Sequence, residues 1–502
     1  MNSSHHAPQN QIVRRAPLRG AIIGLALLAA APASAETVED EHAELTTRYA
    51  AELAKLCAWC DANDLADEAK TTRRWPLPHA PLTLVVPLVD EAVDEPQEAD
   101  DAPAKAAEWR ARFTELRQAQ GEALFSLARR AAGEKQMTLA YRLAHETLRE
   151  DPRHEDARKM LGYKLHEGHW LTSFEVQKTQ SKQVWHPTFG WLQRTQVERY
   201  EAGERFYKGR WLKAEDEARL RADIDHGWVV DTEHYHIRTN HSLEEGVRLA
   251  TRLERLHQLW RQLFVRFYLA DEQIARLFKG GALPKGPAKR LQVTCFRNRD
   301  EYNRTLIVKQ PKIAMTTGYY WPDLRMAYFF AGQDDSNLYH EATHQLFSEV
   351  RAMSPKTGLA ANFWIVEGIA CYMESLTVGN GQGDDSFCTL GGADAIRLQN
   401  ARVRLLDHDF YVPLNELTRL GMDALQDDER IKQIYSQASG LTYFLIHVGD
   451  GRYRDALVAY LVAVYTARDT PGTLAELTGR SYSELDREYR AFVQGVKKTD
   501  GR

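Results

Sequence analysis

Between residues 38 and 70, Leu45, Tyr49, Leu53, Leu56 and Cys60 recur every three to four positions. That is the period of one helix face, and it predicts an amphipathic helix within a helical segment spanning 36–72. From 73 to 106 the period is lost. Prolines and an acidic run (Asp90, Glu91, Asp94, Glu95, Glu98, Asp100, Asp101) predict an exposed, partly disordered insertion that acts as a spacer. The helical period returns in the region 107–227, through Leu116, Leu124, Leu127, Ala128, Leu139, Ala140, Leu143, Ala144 and Leu148, and breaks at Asp151-Pro152. Helical hairpins of the tetratricopeptide kind are expected here, in only one or two units. Further on, Gly168-His169-Trp170-Leu171 recurs as Gly209-Arg210-Trp211-Leu212, with Glu175 and Glu215 following. A small turn-plus-helix unit that packs one tryptophan accounts for the echo; ligand binding by the tryptophans is the sharper alternative.

Near Trp228 the period changes to alternation. Val230, Thr232, His234, His236 and Arg238 share one parity, which predicts a strand. Ser242 can cap a helix running to about Tyr268 (Val247, Leu249, Leu253, Leu256, Leu259, Trp260, Leu263), and strands are predicted at 291–296 and 325–330. Residues 228–495 therefore read as one α+β domain behind a mostly helical N-terminal region.

Composition alters this picture little. With 502 residues, 43% hydrophobic and 27% charged, the chain is long enough for several folding units, and a formal net charge of −5 gives no general basic footprint for nucleic acid. The first 35 residues do change it. Arg14, Arg15 and Arg19 precede an apolar run from Ala21 to Ala31 and then Ala33-Ser34-Ala35, so residues 1–35 read as a signal peptide, with export to the periplasm or the medium. The run is too short for a stable transmembrane anchor, and no later stretch reaches about 20 apolar residues. Cys57-Ala-Trp-Cys60 lacks the neighbours of a redox or metal motif and reads as two packed cysteines, whereas Cys371 and Cys388 are left open as a pair.

The chemistry lies at residues 340–344, His-Glu-Ala-Thr-His. A helix turns about 100° per residue, so His340 and His344 share a face and can reach one metal ion, with Glu341 beside them as a general base. Asp334, Asp335 and Ser336 suit a helix start, and Leu338, Ala342 and Leu346 form its apolar row. A five-residue pattern recurs by chance in long chains, so a third ligand has to be found downstream. Trp364-Ile-Val-Glu367-Gly368-Ile-Ala370 supplies it: Glu367 as ligand, Gly368 for close helix approach and Trp364 as a packing anchor.

This H-E-x-x-H and downstream W-x-x-E-G-x-A pattern resembles the gluzincin metallopeptidases, which include thermolysin-like enzymes. More closely, the stretch from Trp228 to Val493 resembles a little-characterised family of exported bacterial proteins read as peptidases and long labelled a domain of unknown function. The matching pieces include Val293-Thr294-Cys295-Phe296, Gly318-Tyr319-Tyr320, Pro413-Leu414 and Tyr435-Ser436-Gln437-Ala438. The resemblance implies a gluzincin fold, a Zn2+ ion and hydrolysis of a protein or peptide substrate. It also implies a strand at 325–330 bordering the cleft and Tyr435 as oxyanion stabiliser, with Tyr372 and His447 as rivals. Thermolysin-like enzymes carry an aspartate four residues after the glutamate ligand, where this chain has Cys371; the outer carboxylate comes from elsewhere, Glu374 being the candidate, or is absent. The alternative to a peptidase is a non-catalytic zinc-containing scaffold of the cell envelope. Oligomeric state and substrate identity have no sequence signature here.

Overall fold

The computed structural model describes residues 37–78, 82–86, 104–283, 289–379, 386–392 and 395–496. The signal segment expected at 1–35 and the acidic run at 90–101 lie outside the described residues.

Thr37 caps the helix Val38–Asp61 in a reciprocal pairing with Asp40, and Tyr49, Leu53, Leu56 and Cys60 are its buried side. The helices Ala104–Gly133 and Met137–Glu150 then form an antiparallel hairpin. Leu124, Leu127, Ala128, Leu143, Ala144 and Leu148 are buried in it, and Asp151 ends it before Pro152.

The tryptophan echo is the outer pair of three consecutive hairpin–helix units. Strands β2 (Lys164–His166) and β3 (His169–Leu171) precede helix Ser173–Gln180. Strands β4 (Gln183–His186) and β5 (Gly190–Gln193) precede helix Val197–Glu201. Strands β6 (Glu204–Tyr207) and β7 (Arg210–Lys213) precede helix Ala214–Leu220. The outer hairpins turn through Glu167-Gly168 and Lys208-Gly209, with φ of 51° and 86°, and 46° and 82°. Those are the left-handed pairs that two-residue hairpins need. The middle unit escapes the pattern because its loop is one residue longer and its sequence contracts to Gly190-Trp191-Leu192. The units join through edge-on ring contacts, Trp191 to Phe174 and Trp211 to Tyr200.

The strand expected at Trp228 is two. Strands β8 (Trp228–Asp231) and β9 (Tyr235–Thr239) form a hairpin, because Thr232 turns the chain by bonding Tyr235 and so shifts the buried parity from Val230 to Tyr235 and Ile237. With β10 (Leu291–Phe296), β11 (Tyr319–Trp321) and β12 (Met326–Phe330) they make a five-stranded sheet of order β11-β12-β10-β9-β8, in which β9, β10 and β12 are parallel. Helix Leu243–Leu263, capped by Ser242, and helix Asp335–Glu349 cover one face; Leu253, Leu256, Leu338, Ala342 and Leu346 meet Ile237, Val293, Ala327 and Phe329 there. Helix Arg299–Leu306 covers the other face through Tyr302 and Leu306. Because β12 is paired on both sides, it cannot border the cleft as a free edge; the outer strand is β11.

The stretch 73–106 is not all spacer. Its Leu82–Val85 forms β1, which pairs antiparallel with β14 (Phe387–Leu390), itself paired with β13 (Thr377–Val378). Leu84 and Val86 enter the core of the region after 228, and Gln262 Nε2 donates to the Val85 carbonyl at 2.7 Å. The described residues form a mixed α+β fold with small sheets and no barrel among them. No disulfide joins any of the five cysteines, all of which are described, and Cys57 and Cys60 pack in a small cluster with Leu65 and Ala69. Among the described residues no helix is long and apolar enough to cross a membrane.

Candidate metal centre

Helix Asp335–Glu349 starts where its chemistry dictates: the Asp334 side chain accepts from the Ser336 N–H at 3.0 Å. Its apolar row is buried, which turns His340, Glu341 and His344 toward the next helix and β11. That next helix, Phe363–Met373, is wholly buried and apolar apart from Glu367 and the Tyr372 hydroxyl. It is anchored at its start by Trp364, whose Nε1 donates to the Tyr460 hydroxyl (3.1 Å), which in turn donates to Asn362 Oδ1 (2.6 Å). Gly368 lets helix Ile431–His447 approach: a Cβ there would lie 2.8 Å from Thr442 Oγ1 and 2.9 Å from the Ala438 carbonyl oxygen.

These contacts deliver Glu367 to the two histidines. His340 Nε2 lies 3.2 Å from His344 Nε2, and Glu367 Oε2 lies 3.5 Å from the first and 3.7 Å from the second. Four donors around a cation at about 2.0–2.2 Å in a tetrahedron stand about 3.3–3.6 Å apart, so this triangle has the edges of a three-ligand site. The donor set could hold a metal ion. Burial alone would raise the Glu367 carboxyl, but the rings of His344 and His340 outweigh it and hold the group well below the carboxylate range. His340 lies between acceptors: burial would lower it, yet Cys371, Glu367 and Glu374 hold the ring well above the usual imidazole range. A cation would replace the proton this cluster attracts.

The outer carboxylate is Glu374. Its Oε1 accepts from His340 Nδ1 at 2.9 Å, so that once a cation displaces the Nε2 proton the lone pair there faces His344 and Glu367. Residues 371 and 374 share a helix face, so the carboxylate reaches the ring from one turn beyond the position that Cys371 takes. Arg397 grips Glu374 as a fork, Nε to Oε2 at 2.9 Å and Nη2 to Oε1 at 3.1 Å. Nothing local in the sequence marks Arg397, which arrives on helix Ile396–Asp407.

Glu341 is held from the strand side. Its Oε2 accepts from the Tyr320 N–H of β11 at 2.8 Å, and Gly318 makes room for it, since a Cβ there would lie 3.0 Å from Glu341 Cγ. Tyr435, on helix Ile431–His447, is raised above the phenol range by burial and then by the charges of Glu367, Cys371 and Glu341, which act on its hydroxyl through space. The rivals are engaged with each other: the Tyr372 hydroxyl donates to His447 Nε2 at 3.0 Å.

A second group, His234, Glu254 and His257, is less suited to a cation. Its imidazoles are stacked 3.8 Å apart at 25°, so their lone pairs run side by side, and both Glu254 oxygens accept from His234, at its backbone N–H and at Nδ1 (2.8 Å each).

Residues 334–471 match the family described as Protein of unknown function (DUF1570), a span that holds His340, Glu341, His344, Glu367, Glu374, Arg397 and Tyr435. No curated protein matches the chain.

Proposed function

We propose that the chain is a zinc-dependent peptidase of the gluzincin type, with His340, His344 and Glu367 as ligands. The observation that carries this reading is the donor triangle with Glu341 fixed beside it. Two imidazoles, one carboxylate and an open fourth position suit zinc in a catalytic role. Zinc held there would supply an activated water and polarise a scissile carbonyl.

The residues of the chain do the rest. Glu341 keeps one carboxylate oxygen on the Tyr320 N–H and takes a proton on the other, then returns it to the leaving amine. A purely structural site has no use for such a base. In an antiparallel ladder the N–H and C=O of one residue point to the same side, so the Tyr320 carbonyl faces outward with its N–H. An extended substrate can pair there, on β11, through its backbone. Tyr435, whose hydroxyl feels the charges of Glu367 and Glu341, is the donor for the oxyanion; the described residues offer its hydroxyl no hydrogen bond that would occupy it. Export, read from residues 1–35, would put the enzyme and its substrates outside the cytoplasm.

The test is metal analysis of the purified chain together with Glu341→Gln. One zinc per chain in both proteins, with hydrolysis of a peptide library reduced about 10²–10⁴-fold in the variant, is the expected result. Full activity in Glu341→Gln, or no zinc after reconstitution, overturns the reading.

A further inference from the structure

The loop that joins helix Arg299–Leu306 to β11 carries the two most exposed large apolar side chains among the described residues, Val308 at 86% and Met315 at 83%. Ile307, next to Val308 in the chain, is exposed as well. These side chains do not hang from a slack segment. The Lys309 and Gln310 N–H groups both donate to the Leu306 carbonyl, at 3.0 and 2.9 Å, and the Ile313 N–H donates to the Gln310 carbonyl at 3.0 Å. Ile313 shares a buried cluster with Tyr302 and Leu306, the Tyr302 hydroxyl meets Thr316 Oγ1 at 2.7 Å, and Arg299 Nη2 donates to the Ala314 carbonyl at 3.1 Å. A loop fixed in this way holds its apolar tips out in water, where the hydrophobic effect favours their burial against a further surface.

The charge of the loop is of one sign. From 304 to 317 the sequence has Arg304, Lys309 and Lys312 and no acidic residue, in a chain whose net charge is −5. All three are exposed, and none of their side chains has a hydrogen bond, ion pair or ring contact among the described residues. Glu301, the acid nearest along the chain, is buried and already accepts from Asn240 and Arg297. Apolar tips with cations between them suit an anionic bilayer: Val308 and Met315 enter the acyl boundary, while the long stems of the basic residues lie along it and keep their charges at the phosphates. A protein groove would have to match the loop by hydrogen bonds as well as by shape, and the backbone groups named above are already bonded within it.

We infer that the loop 307–316 docks on the surface of an anionic lipid bilayer. The inference does not rest on the peptidase reading, because the loop contains no residue of the metal centre. Thr317 and Gly318 lead from it directly into β11, so docking would bring the free edge of the sheet to the lipid surface.

The experiment is Met315→Cys in the full chain, labelled with bimane and mixed with vesicles of phosphatidylcholine alone or of phosphatidylcholine and phosphatidylglycerol in equal parts. The parent chain labelled in the same way corrects for Cys295, the one cysteine that is not buried. A blue shift of the label with the mixed vesicles, absent with phosphatidylcholine alone and diminished by salt, is expected. Co-sedimentation of the unlabelled chain with the mixed vesicles gives the strength of binding. Lys309→Gln together with Lys312→Gln should weaken it about 25-fold, at about fivefold per lysine, and Val308→Ser at least about fivefold. The apolar run from Ala21 to Ala31 is common to parent and variants, so the difference between them reports the loop. No blue shift at position 315, equal binding to both kinds of vesicle, or parent-like binding of either variant would each overturn the inference. So would a blue shift that grows with chain concentration in the absence of lipid, which would mark the loop as a contact between copies of this chain.

Discussion

Glu374 Oε1 stands 2.9 Å from His340 Nδ1, on the opposite side of the ring from the nitrogen that faces His344 and Glu367. That contact fixes the proton on Nδ1 and aims the lone pair, and Arg397 holds the carboxylate that does it. Replacing Glu374 by Ala, or Arg397 by Ala, should weaken metal binding about 10–100-fold for the first and less for the second, measured by chelator competition. Unchanged affinity in both variants would show that the ring is oriented by its packing alone.

Gly368 is the point where the glutamate helix and the tyrosine helix touch. Gly368→Ala sets a methyl 2.9 Å from the Ala438 carbonyl oxygen, a backbone atom that cannot swing away. The helices must part, which should cost about 1–3 kcal/mol in denaturant unfolding and loosen zinc by moving Glu367. Parent-like stability with parent-like zinc affinity would refute the close-approach argument.

Gly318 makes the same kind of room for the proposed base. Gly318→Ala would press on Glu341 Cγ from 3.0 Å and displace the carboxylate from the Tyr320 N–H. On the peptidase reading, kcat should fall about tenfold or more while zinc content stays at the parent level. A fall in zinc content instead would mean that the helix as a whole had shifted.

His447 sets a pH dependence with a definite sign. Burial, and then the Arg454 charge, push its imidazole from 6.5 down to about 3, and burial pushes His145 down to about 4. The unfolded chain takes up these protons near 6.5 and the folded chain does not, so the stability they contribute is complete above 6.5 and is lost as pH falls toward 3. Between pH 7 and pH 5 each such histidine should cost about 2 kcal/mol. His340 is shifted the other way, and comparing the parent with His447→Gln, both with chelator, cancels it. The variant should lose less stability over that interval; parallel curves would count against a neutral buried His447.

What the amino-acid sequence determined by itself is what depends on neighbours a few positions apart. The helical period placed His340 and His344 on one face, Asp334 marked the start of their helix, Ser242 capped the long helix beside it, and the apolar strand at 291–296 appears as β10. Even Gly368 was legible, because a glycine beside a buried carboxylate has few other uses. The tertiary structure decided the rest, since those features depend on which distant segments meet. Leu82–Val85 looked like part of a spacer until β14 supplied its hydrogen-bond partners, and β12 lost its free edge to β11, a strand of three residues. The middle tryptophan unit hid behind a one-residue change in loop length that alters the sequence spacing and leaves the hairpin intact. Arg397 reaches Glu374 from 23 positions away, and no periodicity carries that information; the pairing exists only because the packing of two helices brings a guanidinium to a carboxylate already engaged with His340.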